Sequence, residues 1–351
     1  MCKSVLVAIS GGLDSTVTAI LLKKQGYSVS GIHFALYNED EKEKRENLYN
    51  LTEKIGVPLE IIDIKETFER TVIQYFTSEY QKGCTPCPCS FCNTNIKWDI
   101  LHNYATQNDF NYIATGHYVR KTLHKSVPRI KQSKDKHKDQ SYFLWGLSPE
   151  IISKSVTPLG DYLKSEVREI AKTNGFSNLA SKPESMGICF LKGKNYREFI
   201  ESTAYEPFKG PILLENGNYH GEHNGIYNFT IGQKKGICNL PKEYCVTKID
   251  AASNSIVVGP WDNLFYNTIE LKDCYFPSLP KGRHNNLRAM VRGFGKNPQE
   301  ECTILINNDN SATVFLEDSA WAPMPGQPTA IYEEDVLIGG GYLYDYYNRN
   351  E

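Results

Sequence analysis

The chain has 351 residues, of which 40% are hydrophobic and 23% are charged, and its formal net charge is −2. This composition is typical of a globular protein of two or three domains, and it excludes a globally basic nucleic-acid binder, so any basic face must be local. No apolar stretch approaches the roughly 18–20 residues of a membrane span, and the short run at the start is not a signal peptide.

Ten cysteines in a chain without a secretion signal indicate a reducing, cytoplasmic setting with no membrane partner. In that setting thiols are more often catalytic or metal-binding than disulfide-bonded. The spacing of the cysteines is therefore informative about function, although a Cys can also pack as a small hydrophobic residue.

Short apolar runs alternate with segments of helical spacing in the first part of the chain. Strands are predicted at residues 4–9, 29–36, 59–64 and 112–115, and helices at residues 14–25 and 39–55. Strands separated by helices predict an α/β fold with a parallel sheet covered on both faces. Later, the runs IYNFTI, SIVVG, CTILI and ATVFL predict two small β-rich domains. We expect domains over residues 1–205, 206–267 and 268–351.

The first predicted strand runs directly into the loop Ser10-Gly11-Gly12-Leu13-Asp14-Ser15, which precedes a predicted helix. The glycines allow a tight turn that exposes successive N–H groups to an anion, and the positive end of the helix adds to this. The serines can donate hydroxyl groups, and Asp14 can hold Mg²⁺. The lysine of a GxxxxGK[ST] loop is absent. The alternative is a plain turn before a helix that Ser10 or Asp14 caps.

Four cysteines lie within nine residues, in Cys84-Thr85-Pro86-Cys87-Pro88-Cys89-Ser90-Phe91-Cys92, and Cys189 follows much later. Pairs of the form Cys-x2-Cys are common zinc ligands, so a zinc knuckle is one interpretation. The two prolines predict a stiff loop, which suits a presented thiol as well as a metal ion.

The motifs of this chain resemble those of a known family. The loop resembles the PP-loop (SGGxDS) of ATP pyrophosphatases, which have an adenine nucleotide alpha hydrolase-like fold. The segments TPCPCSFCNTNIKW, ATGHYVR, KDQSYFLWGL, MGICFLKG, TIGQKKGI and PGQPTAIY, in that order, resemble the tRNA-specific 2-thiouridylase family over essentially the whole chain. The resemblance implies an enzyme that uses ATP and Mg²⁺ to adenylate the wobble uridine (U34) of tRNA. Sulfur then replaces the oxygen at C2, and a cysteine desulfurase or a sulfur relay protein delivers it as a persulfide.

The resemblance also implies roles for individual residues. Cys92 matches the nucleophile, and Cys189 matches the cysteine that carries the persulfide and later forms a transient disulfide with Cys92. The implied ATP-binding positions are Ala8, Ile9, Ser10, Gly11, Gly12, Leu13, Asp14, Ser15, Phe34 and Gly116. The implied tRNA-binding positions are Cys87, Pro88, Cys89, Lys138, Asp139, Gln140 and, by a looser match, Arg292.

The chain departs from the family pattern TPNPDxxCN, because Cys87 and Cys89 stand where the pattern has Asn and Asp. Cys89, Cys92 and Cys189 would offer three thiolates, and three ligands with one open iron suit a 4Fe–4S cluster that binds an extra sulfur. Cys84 and Cys87 are then spare or serve as alternative ligands. The persulfide route and the cluster route both stay open.

Residues 120–138 contain eight Lys or Arg and a single acidic residue, Asp135. Such a run is either a solvated face or, beside a base-modifying site, a contact for phosphates. Among the histidines, His117 could face ATP, whereas His33 and His102 are expected to be packed or on the surface.

Two other functions compete with tRNA thiolation. The first is a different PP-loop enzyme, such as an amide-forming ligase that acts on a small metabolite, but amide formation needs no pair of thiols. The second is a cysteine-cluster metalloprotein that binds RNA without modifying it, which would leave the intact loop at residues 10–15 without a role.

Overall fold

The computed structural model describes residues 3–36, 41–183, 187–203, 208–293 and 295–349, which form two compact units. The first unit comprises residues 1–71, 89–186 and 335–338, and the second comprises residues 72–88, 187–334 and 339–351. The expected domain boundary after residue 205 and the expected helix start at residue 39 lie outside the described residues. No helix among the described residues is long and apolar enough to cross a membrane.

The first unit is built on parallel strands. The strands of this unit are β1 (Ser4–Ala8), β2 (Ser28–Ala35), β3 (Leu59–Asp63), β4 (Tyr112–Ala114), β5 (Val119–His124), β6 (Val127–Gln132) and β7 (Ser155–Val156). Five of them form a sheet in the order β3-β2-β1-β4-β7, in which every pair is parallel. The predicted α/β architecture is therefore confirmed, with β7 as an edge strand that the sequence did not reveal.

Helices connect and cover these strands. The α-helices of the chain are α1 (Leu13–Lys24), α2 (Glu41–Ile55), α3 (Lys65–Phe68), α4 (Gln74–Gln81), α5 (Pro88–Cys92), α6 (Trp98–Gln107), α7 (Pro149–Lys154), α8 (Lys164–Thr173), α9 (Ser177–Ser181) and α10 (Tyr196–Glu201). Helix α1 contributes to two hydrophobic clusters. Its Ala19 and Leu22 share one cluster with Val7 of β1, and its Val17 shares another with Val167 of α8. Because apolar side chains cover two sides of α1, the loop before it has a fixed position.

Strands β5 and β6 form a hairpin in the most basic part of the sequence. Its two turn residues, Lys125 and Ser126, have φ of 49° and 65°, as a two-residue type I′ turn requires. Val336 and Leu337, which also belong to the first unit, pair with β6. The hairpin was not predicted, because its turn lacks the usual Asn-Gly and its strands carry charges.

The second unit contains two β-structures. Its strands are β8 (Lys209–Leu214), β9 (Tyr219–Asn224), β10 (Tyr244–Asp250), β11 (Ser255–Pro260), β12 (Phe265–Tyr275), β13 (Gly282–Met290), β14 (Cys302–Ile306), β15 (Ala312–Trp321), β16 (Pro328–Glu333) and, from residue 339 onwards, β17 (Val336–Tyr347). The first four form a sheet in the order β10-β11-β8-β9. The others follow the order β12-β15-β14-β13-β16-β17, and β12 also pairs with β17, which closes a barrel. The prediction of β-rich structure after the α/β part is confirmed.

One predicted strand is wrong. The run IYNFTI begins with a 3-10 turn at Ile226–Asn228, after Gly225 with φ 106°. Ile226 and Phe229 are buried in the cluster that covers the β8–β11 sheet. The run is apolar because its side chains fill this core, and not because its backbone joins a sheet.

Candidate functional site

The loop between β1 and α1 is held in shape by its own hydrogen bonds. Gly11 has φ +81°, in the left-handed region that glycine adopts without penalty. The hydroxyls of Ser10 and Ser15 lie 3.1 Å apart, and the Ser15 hydroxyl donates to the Gly12 carbonyl at 3.2 Å. Gly12 is the N-cap residue, and no side chain caps the helix. The interpretation of Ser10 or Asp14 as a helix cap is therefore wrong, and the first N–H groups of α1 have no partner within the helix.

The loop lies at the point where the strand order of the sheet reverses. The chain leaves β1 for β2 on one side, and β4 pairs on the other side. In open parallel sheets ligands bind in the crevice at such a point, beyond the carboxyl ends of the strands. Phe34, near the end of β2, and Gly116, just after β4, lie at the same carboxyl ends of the parallel strands as Ser10. Three separate segments predicted to bind ATP therefore meet at one edge.

Gly116 lies directly against the start of α1. A Cβ atom at this position would be 2.9 Å from the backbone nitrogen of Ser15 and 3.1 Å from the Cβ of Asp14. Real Cβ atoms do not approach backbone that closely, so no side chain fits at residue 116 unless the loop moves. Gly116 thus sets the distance between the β4 end and the helix N-terminus.

Asp14 is held by two groups from other parts of the chain. The Lys164 ammonium lies 2.7 Å and 2.9 Å from its two carboxylate oxygens, and the Tyr118 hydroxyl donates to Oδ1 at 2.9 Å. Sequence reasoning missed Lys164, because it is 150 residues from Asp14 and begins an ordinary amphipathic helix. No local signal could have identified it.

His117 follows Gly116 and is partly buried. Its ring stacks on Trp98 with centroids 5.7 Å apart, and its Nδ1 lies 2.8 Å from the Thr115 hydroxyl. Burial lowers the pKa of His117 to about 3, and the charge of Lys97 acts in the same direction. The imidazole is therefore neutral at pH 7 and donates or accepts hydrogen bonds without charge.

This neutral histidine makes stability depend on pH. Well above pH 6.5 His117 is neutral in both the folded and the unfolded chain, so it adds no pH dependence there. Below that pH the unfolded chain binds a proton that the folded chain excludes, so folding is progressively disfavoured down to about pH 3. We expect His117 to lower the free energy of unfolding by about 2 kcal/mol between pH 6.5 and pH 5. Urea unfolding at both pH values should show this loss in the wild type and a smaller loss in His117→Gln, whereas equal losses would contradict the assignment.

The cysteine-rich segment is helical from Pro88 onwards. Helix α5, a π-helical segment (Asn93–Lys97) and α6 follow one another without a break. The predicted stiff loop is therefore wrong for the residues from Pro88 to Cys92, because proline suits the first turn of a helix. Cys89 is exposed on this helix and Cys92 is buried, with 9% of its surface accessible.

This helix is fixed by contacts with the Trp145-Gly146 segment. The indole N–H of Trp145 donates to the fully buried Ser90 hydroxyl at 3.0 Å. A Cβ at Gly146 would be only 2.5 Å from the Thr94 methyl group, so the backbone there approaches the helix closely. The side-chain oxygen of Asn93, which is 4% exposed, has no hydrogen-bond partner among the described residues. The buried Cys92 thiol therefore lies in a helix whose position is fixed by packing, and a polar side chain follows it in sequence.

The other thiols differ in their surroundings. Cys84, in the second unit, is half-buried, and burial together with Glu79 raises its pKa to about 11, so it is protonated at neutral pH. Cys189 is exposed and begins a 3-10 turn whose Phe190 packs on Phe76 with ring centroids 5.2 Å apart. Over the described ranges, no group of three or more His, Cys, Asp or Glu side chains is arranged to hold a metal ion.

The residues predicted to contact tRNA have partners within the fold. The Asp139 carboxylate accepts from the Ser133 N–H at 2.7 Å, and the Gln140 side-chain oxygen accepts from the Tyr118 N–H at 3.0 Å. Arg292 donates to the Ala322 carbonyl and lies over the Trp321 ring at 5.1 Å. Lys138 is half-buried, and Pro88 begins α5 beside Cys87.

The basic run at residues 120–138 is not a uniform solvated face. Arg129 is fully buried, and its Nε donates to the Leu337 carbonyl at 3.1 Å. Lys121 donates to the Ser153 carbonyl at 3.2 Å, near the end of α7. Lys121 and Arg129 thus stabilise the hairpin, because a lysine near a helix C-terminus and an arginine beside a buried carbonyl satisfy backbone acceptors.

Comparison with known proteins identifies relatives over almost the whole chain. Family models match residues 3–193 (tRNA methyl transferase HUP domain), 197–260 (tRNA methyl transferase PRC-barrel domain) and 268–343 (aminomethyltransferase beta-barrel domain). The chain is 36% identical over 343 residues to tRNA-specific 2-thiouridylase MnmA 2 of Phocaeicola vulgatus, which covers 97% of each chain. It is 37% identical over 356 residues to the MnmA of Amoebophilus asiaticus, covering 97% of this chain and 94% of the relative. It is 34% identical to the MnmA of Clostridioides difficile, over 98% of each chain.

Proposed function

Because the chain belongs to the tRNA-specific 2-thiouridylase family, we propose that it is a tRNA sulfurtransferase that uses ATP to form 2-thiouridine at the wobble position. The observation that carries this is the near full-length relationship to 2-thiouridylases, in a chain whose PP-loop follows β1 at the reversal of strand order. The reactive thiols argue against a ligase that only forms amides. The loop argues against a metalloprotein that only binds RNA.

In the first step ATP is cleaved between the α and β phosphates, and AMP is transferred to O2 of the uridine. The N–H groups of residues 10–15 and the positive end of α1 would bind the phosphates, with Ala8 and Ile9 leading into that loop. Phe34 and Gly116 would flank the adenosine at the same edge of the sheet. Transfer of AMP converts a poor leaving group into a good one.

Asp14 fits the role of a Mg²⁺ ligand. A magnesium site in nucleotide enzymes usually combines one or two carboxylates with substrate phosphates and water, and a single carboxylate at the loop meets that need. When bound, the ion would neutralise phosphate charge during AMP transfer. Tyr118 orients the carboxylate by its hydrogen bond to Oδ1.

In the second step a sulfur atom replaces the AMP. The terminal sulfur of a persulfide on Cys189 becomes bound to C2 of the uridine, and the bond from C2 to the adenylated oxygen breaks. The Cys92 thiolate attacks the Cys189 sulfur, which breaks the persulfide S–S bond and leaves a Cys92–Cys189 disulfide. An external thiol must reduce this disulfide before the next turnover. A persulfide-carrying protein, either a cysteine desulfurase or a sulfur relay protein, would load Cys189 in the cytoplasm.

We also propose a second sulfur-transfer route, which rests on the spacing of Cys89 and Cys92, because no group of three or more His, Cys, Asp or Glu side chains is arranged to hold a metal ion among the described residues. Cys89 is exposed and lies three residues before Cys92 in a continuous helical segment, so both side chains belong to the same side of it. With Cys189 they would supply three thiolates for a 4Fe–4S cluster. When bound, such a cluster offers an open iron that can hold a sulfide. Anaerobic purification followed by iron and sulfide assays tests this route, and full activity in an iron-free enzyme would exclude it.

We propose that the domains cover residues 1–205, 206–267 and 268–351. We also propose that tRNA is recognised by residues 87–89, by residues 138–140 and by Arg292. The target base must leave its stack to react, which is easiest in a loop such as the anticodon loop. Asp139 and Gln140 would act by shaping the surface beside Lys138, since both have internal partners.

The proposal is tested by mapping the product. Unmodified tRNA is incubated with enzyme, ATP, Mg²⁺ and a persulfide donor, and the nucleosides are analysed by mass spectrometry. We expect one thiolated uridine, at the wobble position, and none in a matched transcript with cytidine there. Thiolation that persists in the cytidine transcript would exclude the proposed position.

A further inference from the structure

The phosphate loop has no positive side chain of its own. Within residues 10–15 the charged group is Asp14, so the loop has a formal charge of −1. A triphosphate carries several negative charges, and backbone N–H groups alone offer only partial positive charge. In loops of the GxxxxGK[ST] class, a lysine that reaches the β and γ phosphates supplies the positive charge. A cation from elsewhere in the chain would therefore complement the partial charges of the loop and a bound Mg²⁺ ion.

Lys164 is positioned to supply that cation. Its ammonium lies 2.7 Å from Asp14 Oδ1, and only 12% of its side chain is exposed. The Tyr118 ring lies 5.2 Å from the same nitrogen, so an aromatic face also stabilises the charge. The backbone N–H of Lys164 donates to Asp135 at 3.0 Å, which anchors the start of α8. The side chain thus approaches the phosphate loop from a rigid element.

We propose that Lys164 binds the triphosphate of ATP at its pyrophosphate end and takes the place of the absent loop lysine. This inference rests on the proposed function, because it concerns the same ATP site. Without nucleotide the ammonium neutralises Asp14. Asp14 would hold a Mg²⁺ ion when the nucleotide is bound, and the Lys164 ammonium would then donate to a phosphate oxygen. Lys164 would then hold the pyrophosphate as it departs, which stabilises the charge that develops on the leaving group.

A purely structural role makes a different prediction. If Lys164 only pinned Asp14, its loss would disturb the whole loop and weaken pyrophosphate and AMP alike. If it contacts the pyrophosphate end, its loss should weaken ATP and inorganic pyrophosphate while AMP binding stays close to that of the wild type. Comparison of these probes separates the two roles.

The experiment compares Lys164→Gln and Lys164→Arg with the wild-type full chain. Glutamine keeps a hydrogen-bond donor toward Asp14 but removes the charge, and arginine restores it. Lys134→Gln is the matched control, because Lys134 pairs with Glu166 at 3.3 Å and is half exposed. Binding of Mg·ATP, inorganic pyrophosphate and AMP is measured by calorimetry.

We expect Lys164→Gln to lose roughly ten- to a hundredfold in affinity for pyrophosphate and ATP, as loss of a hydrogen bond to a charged group implies. Lys164→Arg should recover most of that loss, and AMP affinity should be unchanged in both variants. Wild-type pyrophosphate affinity in Lys164→Gln would overturn the inference, as would an equal loss for AMP. A wild-type enzyme that binds pyrophosphate but forms no AMP with tRNA would instead count against the proposed function.

Discussion

Replacement of either Cys92 or Cys189 by serine is expected to reduce tRNA thiolation by roughly three orders of magnitude or more, because loss of a nucleophile removes the chemical step itself. Serine is close in size to cysteine, and Cys92 lies in a helix that the Trp145–Ser90 hydrogen bond fixes independently. The fold and the ATP site should therefore survive. The measurement is 2-thiouridine formed per enzyme under single-turnover conditions, together with AMP.

The matched controls come from cysteines without motif spacing. Cys238→Ser is the control for the exposed Cys189, and Cys302→Ser is the control for the buried Cys92. Burial raises the pKa of Cys302 to about 12, so its thiol stays protonated. Both controls should stay near wild-type activity. Full thiolation by Cys92→Ser or Cys189→Ser would refute the assigned roles.

The same series separates the two sulfur-transfer routes. On the persulfide route Cys89→Ser should keep the sulfur-transfer step at saturating tRNA, because Cys89 forms no bond in any step and its proposed role is limited to tRNA contact. On the cluster route all three cysteines are ligands, so Cys89→Ser should lose activity and bound iron together.

Substitution of Gly116 is expected to have the next largest effect. In Gly116→Val the Cβ atom would lie 2.9 Å from the Ser15 nitrogen, and the loop must shift to relieve the overlap. Overpacking of this kind costs about 1–3 kcal/mol, and here the shift falls on the N–H groups that are proposed to bind phosphate. Affinity for ATP should fall by roughly ten- to a hundredfold, and AMP formation with tRNA should fall with it.

Gly221→Ala is the control for this prediction, because nothing lies within 4 Å of a Cβ added at Gly221. It should bind ATP like the wild type. Calorimetric titration with Mg·ATP gives the affinities, and circular dichroism shows whether each variant is folded. If a folded Gly116→Val variant binds ATP with wild-type affinity, a side chain at residue 116 does not displace the phosphate loop.

Local signals predicted the part of the fold that carries the phosphate loop. The apolar run of β1, the loop glycines and the spacing of α1 lie within about twenty residues, and the helix begins one residue before its predicted start. The closeness of Gly116 to Ser15 follows once β4 pairs beside β1. These features depend on neighbours in sequence or on the rules of parallel sheets.

Features that depend on long-range contacts were not predicted. The pairing of Lys164 with Asp14 joins residues 150 positions apart, and the buried Arg129 donates to the Leu337 carbonyl 208 positions away. The two prolines of residues 84–92 predict a stiff loop, but Pro88 begins a helix that packs against Trp145, and this packing outweighs the low helix propensity of proline. Charge and composition do not encode such contacts.

We propose above that ATP cleavage at the PP-loop activates a tRNA uridine for attack by sulfur. The most direct test measures AMP and 2-thiouridine in one reaction of the wild-type protein with unmodified tRNA, Mg·ATP and a persulfide donor. We expect equal amounts of the two products, and neither of them when tRNA is omitted. Formation of 2-thiouridine without ATP, or AMP formation that needs no tRNA and yields no 2-thiouridine, would contradict it.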